Sequence, residues 1–249
     1  WYHTLVITRV SAMFDSALSS FSAGVGNLVA EGDNKRSQEV FWELVAVRFI
    51  VAGFLIFSVY NFIEPFISLW LGKQYLLDHT VLVLLLVTVF ISQTRCAVDM
   101  FNTAFGHYAD TWAAWVELIL NVGITLATAP FWGIIGILLG KIASTCVIIL
   151  IWKPYYLFKV GFRRNISVYW LQELRFYFAF TFSIAVSTLL FNLIPIDAEA
   201  SFLKWVIKGI ITVPIFTVIY VSVLYTTTQG TRDLICRLRK MVTKRNTKS

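Results

Sequence analysis

Stretches of twenty or so apolar residues, following one another with short polar joints, leave this chain few ways to fold. Inside a bilayer every backbone amide and carbonyl must find a partner within the protein, and a helix does this within a single segment of about 20 residues. Seven such spans fit: His3 to Ala30, Ser37 to Leu71, His79 to His107, Asp110 to Ala129, Trp132 to Phe158, Val168 to Ile194, and Phe202 to Thr227. The runs are continuous, unlike the ten-residue alternation of an outer-membrane barrel. The expected fold is therefore all-α, a polytopic bundle of about seven transmembrane helices over residues 1–229, with a basic tail over 230–249. Composition agrees: 14% of the residues are charged and the mean hydropathy is +0.73, against about 25% charged residues in a soluble domain.

Positive charge sets the orientation. Lys35, Arg36, Lys153, Lys159, Arg163, Arg164 and seven residues from Arg232 to Lys248 fall in joints on one side, whereas Lys73 and Lys204 alone fall on the other. By the positive-inside rule the carboxyl end is cytoplasmic and residue 1 is outside. The net charge of +7 thus reads as topology, with no nucleic-acid partner. Nine tryptophans, among them Trp1, Trp42, Trp112 and Trp152, fall near the proposed span ends as an interfacial belt. Pro65, Pro130, Pro154 and Pro195 lie near helix ends, and Pro214 inside the last span predicts a kink. Cys96, Cys146 and Cys236 form no even, loop-placed set and are expected as free thiols. The opening WYHTLVITRV lacks an initiator Met and a signal peptide, so the chain reads as a fragment.

Charges inside the spans are the features that ask for a function. Arg95 and Asp99 lie one helical turn apart in FISQTRCAVDMFNTAFGHY, Phe90 to Tyr108. Each such residue is disfavoured at a helix centre by roughly 2.5 to 3.5 kcal/mol on insertion scales. They either pair with each other or line a polar cavity. Arg9, Arg48 and Lys141 are also deep, as are Asp15, Glu64 and Glu117, with Glu43 nearer the cytoplasmic end and Glu117, on the preceding helix, the expected partner of Lys141. Arg175 and Lys208 are close enough to span ends to snorkel. The first span is the most polar, and Ser22 to Asn27 with its two glycines is expected to loosen it. Gly133, Gly136 and Gly140 form a small-residue packing stripe. His3, His79 and His107 are unclustered, so no metal site is expected, and no nucleotide-binding or nucleophile motif appears. The basic tail suits anionic headgroups or solvent.

Four segments together carry a resemblance: SSFSAGVGNLVAEGDNKRSQEVF at 19–41, PFISLWLGKQYLLD at 65–78, TRCAVDMFNTAFGHYAD at 94–110 and WGIIGILLGKIAS at 132–144. The series resembles the carboxyl half of O-antigen flippases of the Wzx type. These belong to the polysaccharide transporter group of the multidrug, oligosaccharidyl-lipid and polysaccharide exporter superfamily. The resemblance implies a two-bundle transporter, not an enzyme, that moves undecaprenyl-pyrophosphate-linked oligosaccharide across the bacterial inner membrane without a cofactor. It implies membrane lipids and glycan-assembly proteins such as the polymerase as partners. This chain would then be spans eight to fourteen.

On that view Arg9, Arg48 and Arg95 give a cavity its positive field for the pyrophosphate, while Asp15, Asp99 or Glu117 carries a coupling ion. Arg95 and Asp99 are expected near the membrane centre, in a cavity shared with Arg9, Asp15 and Glu117. A multidrug exporter of the same superfamily is the neighbouring alternative, disfavoured by the basic excess in the spans. A seven-helix receptor and a membrane scaffold are the alternatives from other classes.

Overall fold

A computed structural model describes residues 2–107 and 111–246. Trp1, Tyr108, Asp110 and Lys248, which the sequence reading used for the belt, the central stretch, a span boundary and the charge count, lie outside the described residues. The described residues form helices and contain no strand: α1 (Tyr2–Ser19), α2 (Phe21–Ala30), α3 (Asn34–Trp70), α4 (His79–Ala104), α5 (Thr111–Trp132), α6 (Ile134–Gly161), α7 (Ile166–Leu193), α8 (Phe202–Thr227) and α9 (Gln229–Asn246). Six of them, α3 to α8, are long and apolar enough to cross a bilayer, and the chain is a multi-pass membrane protein. The first expected span is not among the six.

That first span is interrupted at Ser20, two residues before the glycine-containing segment where loosening was expected. The Ser19 hydroxyl donates to the Ser16 carbonyl at 2.7 Å and the Ser20 hydroxyl to the Ala17 carbonyl at 3.0 Å. Side-chain donors thus compete for the carbonyls that hold the helix together, while Gly24 and Gly26 sit inside α2.

Side-chain caps start the long helices. Asp33 accepts from the amides of Lys35 and Arg36 at the start of α3. Asp78 does the same for Thr80 and Val81 at α4, Asn165 for Ser167 at α7 and Ser201 for Leu203 at α8. Each cap satisfies amides that have no partner within the helix. Asp78 lies outside the spans, and hydrogen bonds from the Thr80 hydroxyl and from the Thr80 and Val81 amides hold its carboxyl below the ordinary aspartate value.

Around α3 the bundle closes. Two thirds of its most apolar stretch, 67%, is buried, against none of that of α5, which stands at the periphery. Phe41, Phe49, Phe57, Phe101, Phe158 and Phe176 are almost fully buried in one aromatic core contributed by α3, α4, α6 and α7. Gly53 leaves room on α3 for the ring of Tyr220 from α8, whose hydroxyl donates to the Phe49 carbonyl at 2.8 Å. Trp42, read from the sequence as part of an interfacial belt, belongs to this core instead, stacked on Tyr169 and Phe176 at 5.9 and 6.3 Å.

Helices α5 and α6 form a hairpin in which Gly136 and Gly140 are the close contacts. A Cβ at Gly136 would stand 2.6 Å from the backbone of Thr128 and Ala129. The third glycine of the expected stripe has a different job: Gly133 turns the chain, with φ 55° and open space around it. Pro154 falls inside α6 and not near its end. The flanking segments Cys146–Trp152 and Leu157–Gly161 are wound as π-helix, the wider turn by which a helix absorbs a break in its hydrogen-bond ladder. Pro214 is within α8, which continues to Thr227.

The tail is structured as well. Helix α9 leaves α8 beside Trp42, packs against α3 and joins it through Arg237 and Glu43 at 2.9 Å. One end of the bundle gathers Lys35, Arg36, Lys159, Arg163 and Arg164 with α9 and is hereafter the basic end.

Candidate functional site

The polar side chains of the spans collect into two clusters joined along α4. In the first, Arg48 on α3 meets Asp15 on α1, Nη1 to Oδ1 at 2.7 Å. Gln93 on α4 closes the triangle: its Oε1 accepts from Arg48 at 3.2 Å, and its Nε2 donates to both Asp15 oxygens at 3.2 Å. The amide can do this because it presents a donor and an acceptor at once. Arg48 is covered, with 6% of its side chain exposed, whereas Asp15 is 43% exposed. The triangle therefore holds a buried cation against a carboxylate that is open on one side.

Toward the basic end lies the second cluster. Asp99 on α4 receives Lys153 of α6 at 2.7 Å and Arg95, one turn back along α4, at 3.6 Å. The short contact carries most of the attraction, since ion pairs weaken with distance and the hydrogen bond requires close approach. Asp99 is thus claimed chiefly by Lys153, and Arg95 keeps a loose guanidinium with 36% of its side chain exposed. Cys96 lies between the clusters, within electrostatic range of Arg48, Asp15, Asp99 and Arg95.

Asp99 is 20 residues beyond His79, about 30 Å along α4, and only about 8 Å from the helix end at Ala104. It is bonded to Lys153, whose neighbour Trp152 packs on Trp112 at 4.8 Å. Lys153, assigned from the sequence to a joint, is part of α6 and of the cluster.

Nor do the remaining site candidates join one cavity. Arg9 is exposed on α1 and makes no hydrogen bond or ion pair among the described residues. Glu117 on α5 lies apart from both clusters and accepts from Thr145 at 3.5 Å. Lys141 is exposed and does not pair with Glu117 among the described residues. The geometry brings Asp15 to Arg48 and Asp99 to Arg95, while Arg9 and Glu117 stand separate, Arg9 exposed on α1 and Glu117 facing Thr145 of α6.

Other groups escaped the sequence reading. Gln93 is neutral, so a search for charges passes over it. The signal for it was an amide two residues from Arg95 in an apolar run. Glu173 on α7 is 3% exposed and was not singled out. Lys208, expected to snorkel, is buried with its ammonium 3.8 Å above the ring of Phe191, a cation over an aromatic face. Arg175 is exposed, as snorkelling requires.

Polar groups also continue along the outer side of α1 and α2, where Thr8, Arg9, Ser16, Ser20, Ser22 and Asn27 are exposed. Leu5, Met13 and Phe21 are exposed among them, and the Thr8 and Ser20 hydroxyls donate to carbonyls of their own helix, so the surface is mixed, with Arg9 as its charge. The chain matches no known family model, no curated protein and no solved structure.

Proposed function

We propose that the protein is part of a flippase for lipid-linked oligosaccharides, and that this bundle forms one wall of the route taken by the diphosphate-bearing headgroup. The observation that carries the reading is the loose guanidinium of Arg95 beside the buried Arg48 triangle: cations in spanning helices, one of them incompletely paired. A planar guanidinium binds phosphate oxygens through two parallel hydrogen bonds. Exposed Arg9 on α1 supports the same reading, since a charge at that position suits a water-filled route.

Roles follow from the pairing. Arg95 is the group free to exchange its carboxylate for phosphate, because Lys153 already satisfies Asp99. Arg48 fixes the field and the packing of α1 against α3 and α4. The positive-inside bias supports a cytoplasmic basic end in the inner membrane, where such a substrate is made. Alternating access would rock the bundle against a second one across the exposed side of α1.

The test is translocation of a fluorescent glycan-diphosphate lipid in proteoliposomes, using the product of the complete reading frame. Arg95→Ala, Asp99→Ala and the double variant are expected to lower the initial rate, with Arg95→Ala the more damaging single change. Equal rates in all three and in the parent protein would sink the assignment.

A further inference from the structure

Glu173 has no part in either cluster, and its neighbours on α7, Tyr169 and Phe176, belong to the aromatic core. It lies on the buried face of α7 with 3% exposure, seven residues from the helix start at Ile166, about 10 Å along the axis. Tyr169 and Tyr177 stand one turn to either side of it on α7, and it makes no ion pair among the described residues. Its Oε2 is fully enclosed and has no hydrogen-bond partner among the described residues. The walls are aromatic: Trp42 and Phe49 of α3 pack against Phe176, Tyr169 and Tyr177. Cys146 of α6 lies within electrostatic range of Tyr177, and from α8 Tyr220 packs beside Phe180 with its hydroxyl committed to the Phe49 carbonyl. On α3 the one carboxylate nearby, Glu43, is held by Arg237 and turned to α9.

A carboxylate in such a place would be an isolated buried charge, which costs far more than a neutral acid and is resolved by taking up a proton. We infer that Glu173 is a proton-binding site of the bundle, neutral in the closed packing described here and releasing its proton when α7 separates from α3 and water enters. The inference rests on the transport reading only for its consequence, that the coupling ion is a proton and its carrier is Glu173. The protonation itself follows from the packing.

Infrared spectroscopy of the full-length protein in proteoliposomes at pH 7 reads the site directly. A carbonyl band of a protonated carboxyl is expected in the parent protein and lost in Glu173→Gln; no band lost on substitution would overturn the proposal. Since Glu173→Gln could perturb folding, the unaltered protein is also treated with a membrane-soluble carbodiimide, which adds across a protonated carboxyl to give an acylurea of summed mass. An adduct mapped to Glu173 supports the site, whereas adducts on other carboxyls with none on Glu173 overturn it. With a transmembrane pH gradient imposed, glycan-lipid movement is expected to accelerate several-fold in the parent and not in Glu173→Gln. Equal acceleration would remove the coupling role. Absence of any movement in the parent would instead count against the transport reading, and the infrared result would stand on its own.

Discussion

Replacing Asp15 should harm the bundle more than replacing the Arg48 it pairs with, although Arg48 is by far the more buried. Asp15→Ala leaves a guanidinium that is 6% exposed with Gln93 as its remaining partner, and an uncompensated buried charge costs about 3–5 kcal/mol. Arg48→Met leaves a carboxylate that Gln93 still binds and that is 43% exposed. The loss is then one charge-assisted hydrogen bond of about 1.5–3 kcal/mol, at the low end because the open side is hydrated. The double variant removes the stranded charge, so it should cost less than the sum of the two, with a coupling of at least about 1 kcal/mol. Unfolding free energies in mixed detergent micelles for the four proteins measure this cycle. If Arg48→Met costs as much as Asp15→Ala, or if the two effects simply add, the described triangle is not the interaction holding α1 to α3 and α4.

Three further outcomes follow from the same packing. Lys153→Met should cost about 1 kcal/mol and Arg95→Met less than about half of that, because Asp99 is held at 2.7 Å by one and 3.6 Å by the other; the same unfolding assay ranks them. Gly136→Leu should cost at least about 1–3 kcal/mol by forcing α5 off α6, whereas Gly133→Ala, in open space but at positive φ, should cost about 1–2 kcal/mol; thermal melts of the two variants compare these terms. Asp78, whose folded carboxyl titrates below its unfolded value, contributes stability above that unfolded value, and the contribution is lost as pH falls through the folded one. Asp78→Ala should therefore lower stability at neutral pH and flatten the acid limb of a stability titration.

Much of this architecture is legible in the sequence because spanning helices announce themselves by length and apolarity. The interval Phe202 to Thr227 coincides with α8, and the starts of α3, α4 and α7 lie within a few residues of those read from the chain. The first span misled because its serines do two things: they break the helix at Ser20 and they make part of its exposed surface polar. Pairing was harder to read. The i, i+4 spacing of Arg95 and Asp99 does bring them together, but the partner that dominates Asp99 comes from α6, 54 residues later. Likewise Asp15 finds Arg48 and Gln93 across three helices, a meeting that depends on how α1, α3 and α4 rotate about their axes and not on any local pattern. Trp42 and Lys208 show the same limit. Both lie near helix ends, where side chains usually seek the interface, yet core packing and the Phe191 ring claim them.

On the proposed reading the loose cation of the second cluster serves substrate and not packing, and Arg95→Ala addresses it alone. Its weak contact predicts a protein that folds with near-normal stability. In proteoliposomes that variant is predicted to lose most of its glycan-diphosphate lipid translocation, with at least about a tenfold fall in rate, the loss expected when a charge-assisted phosphate contact is removed. Translocation at the parental rate by a normally folded Arg95→Ala protein would rule out a substrate role for Arg95.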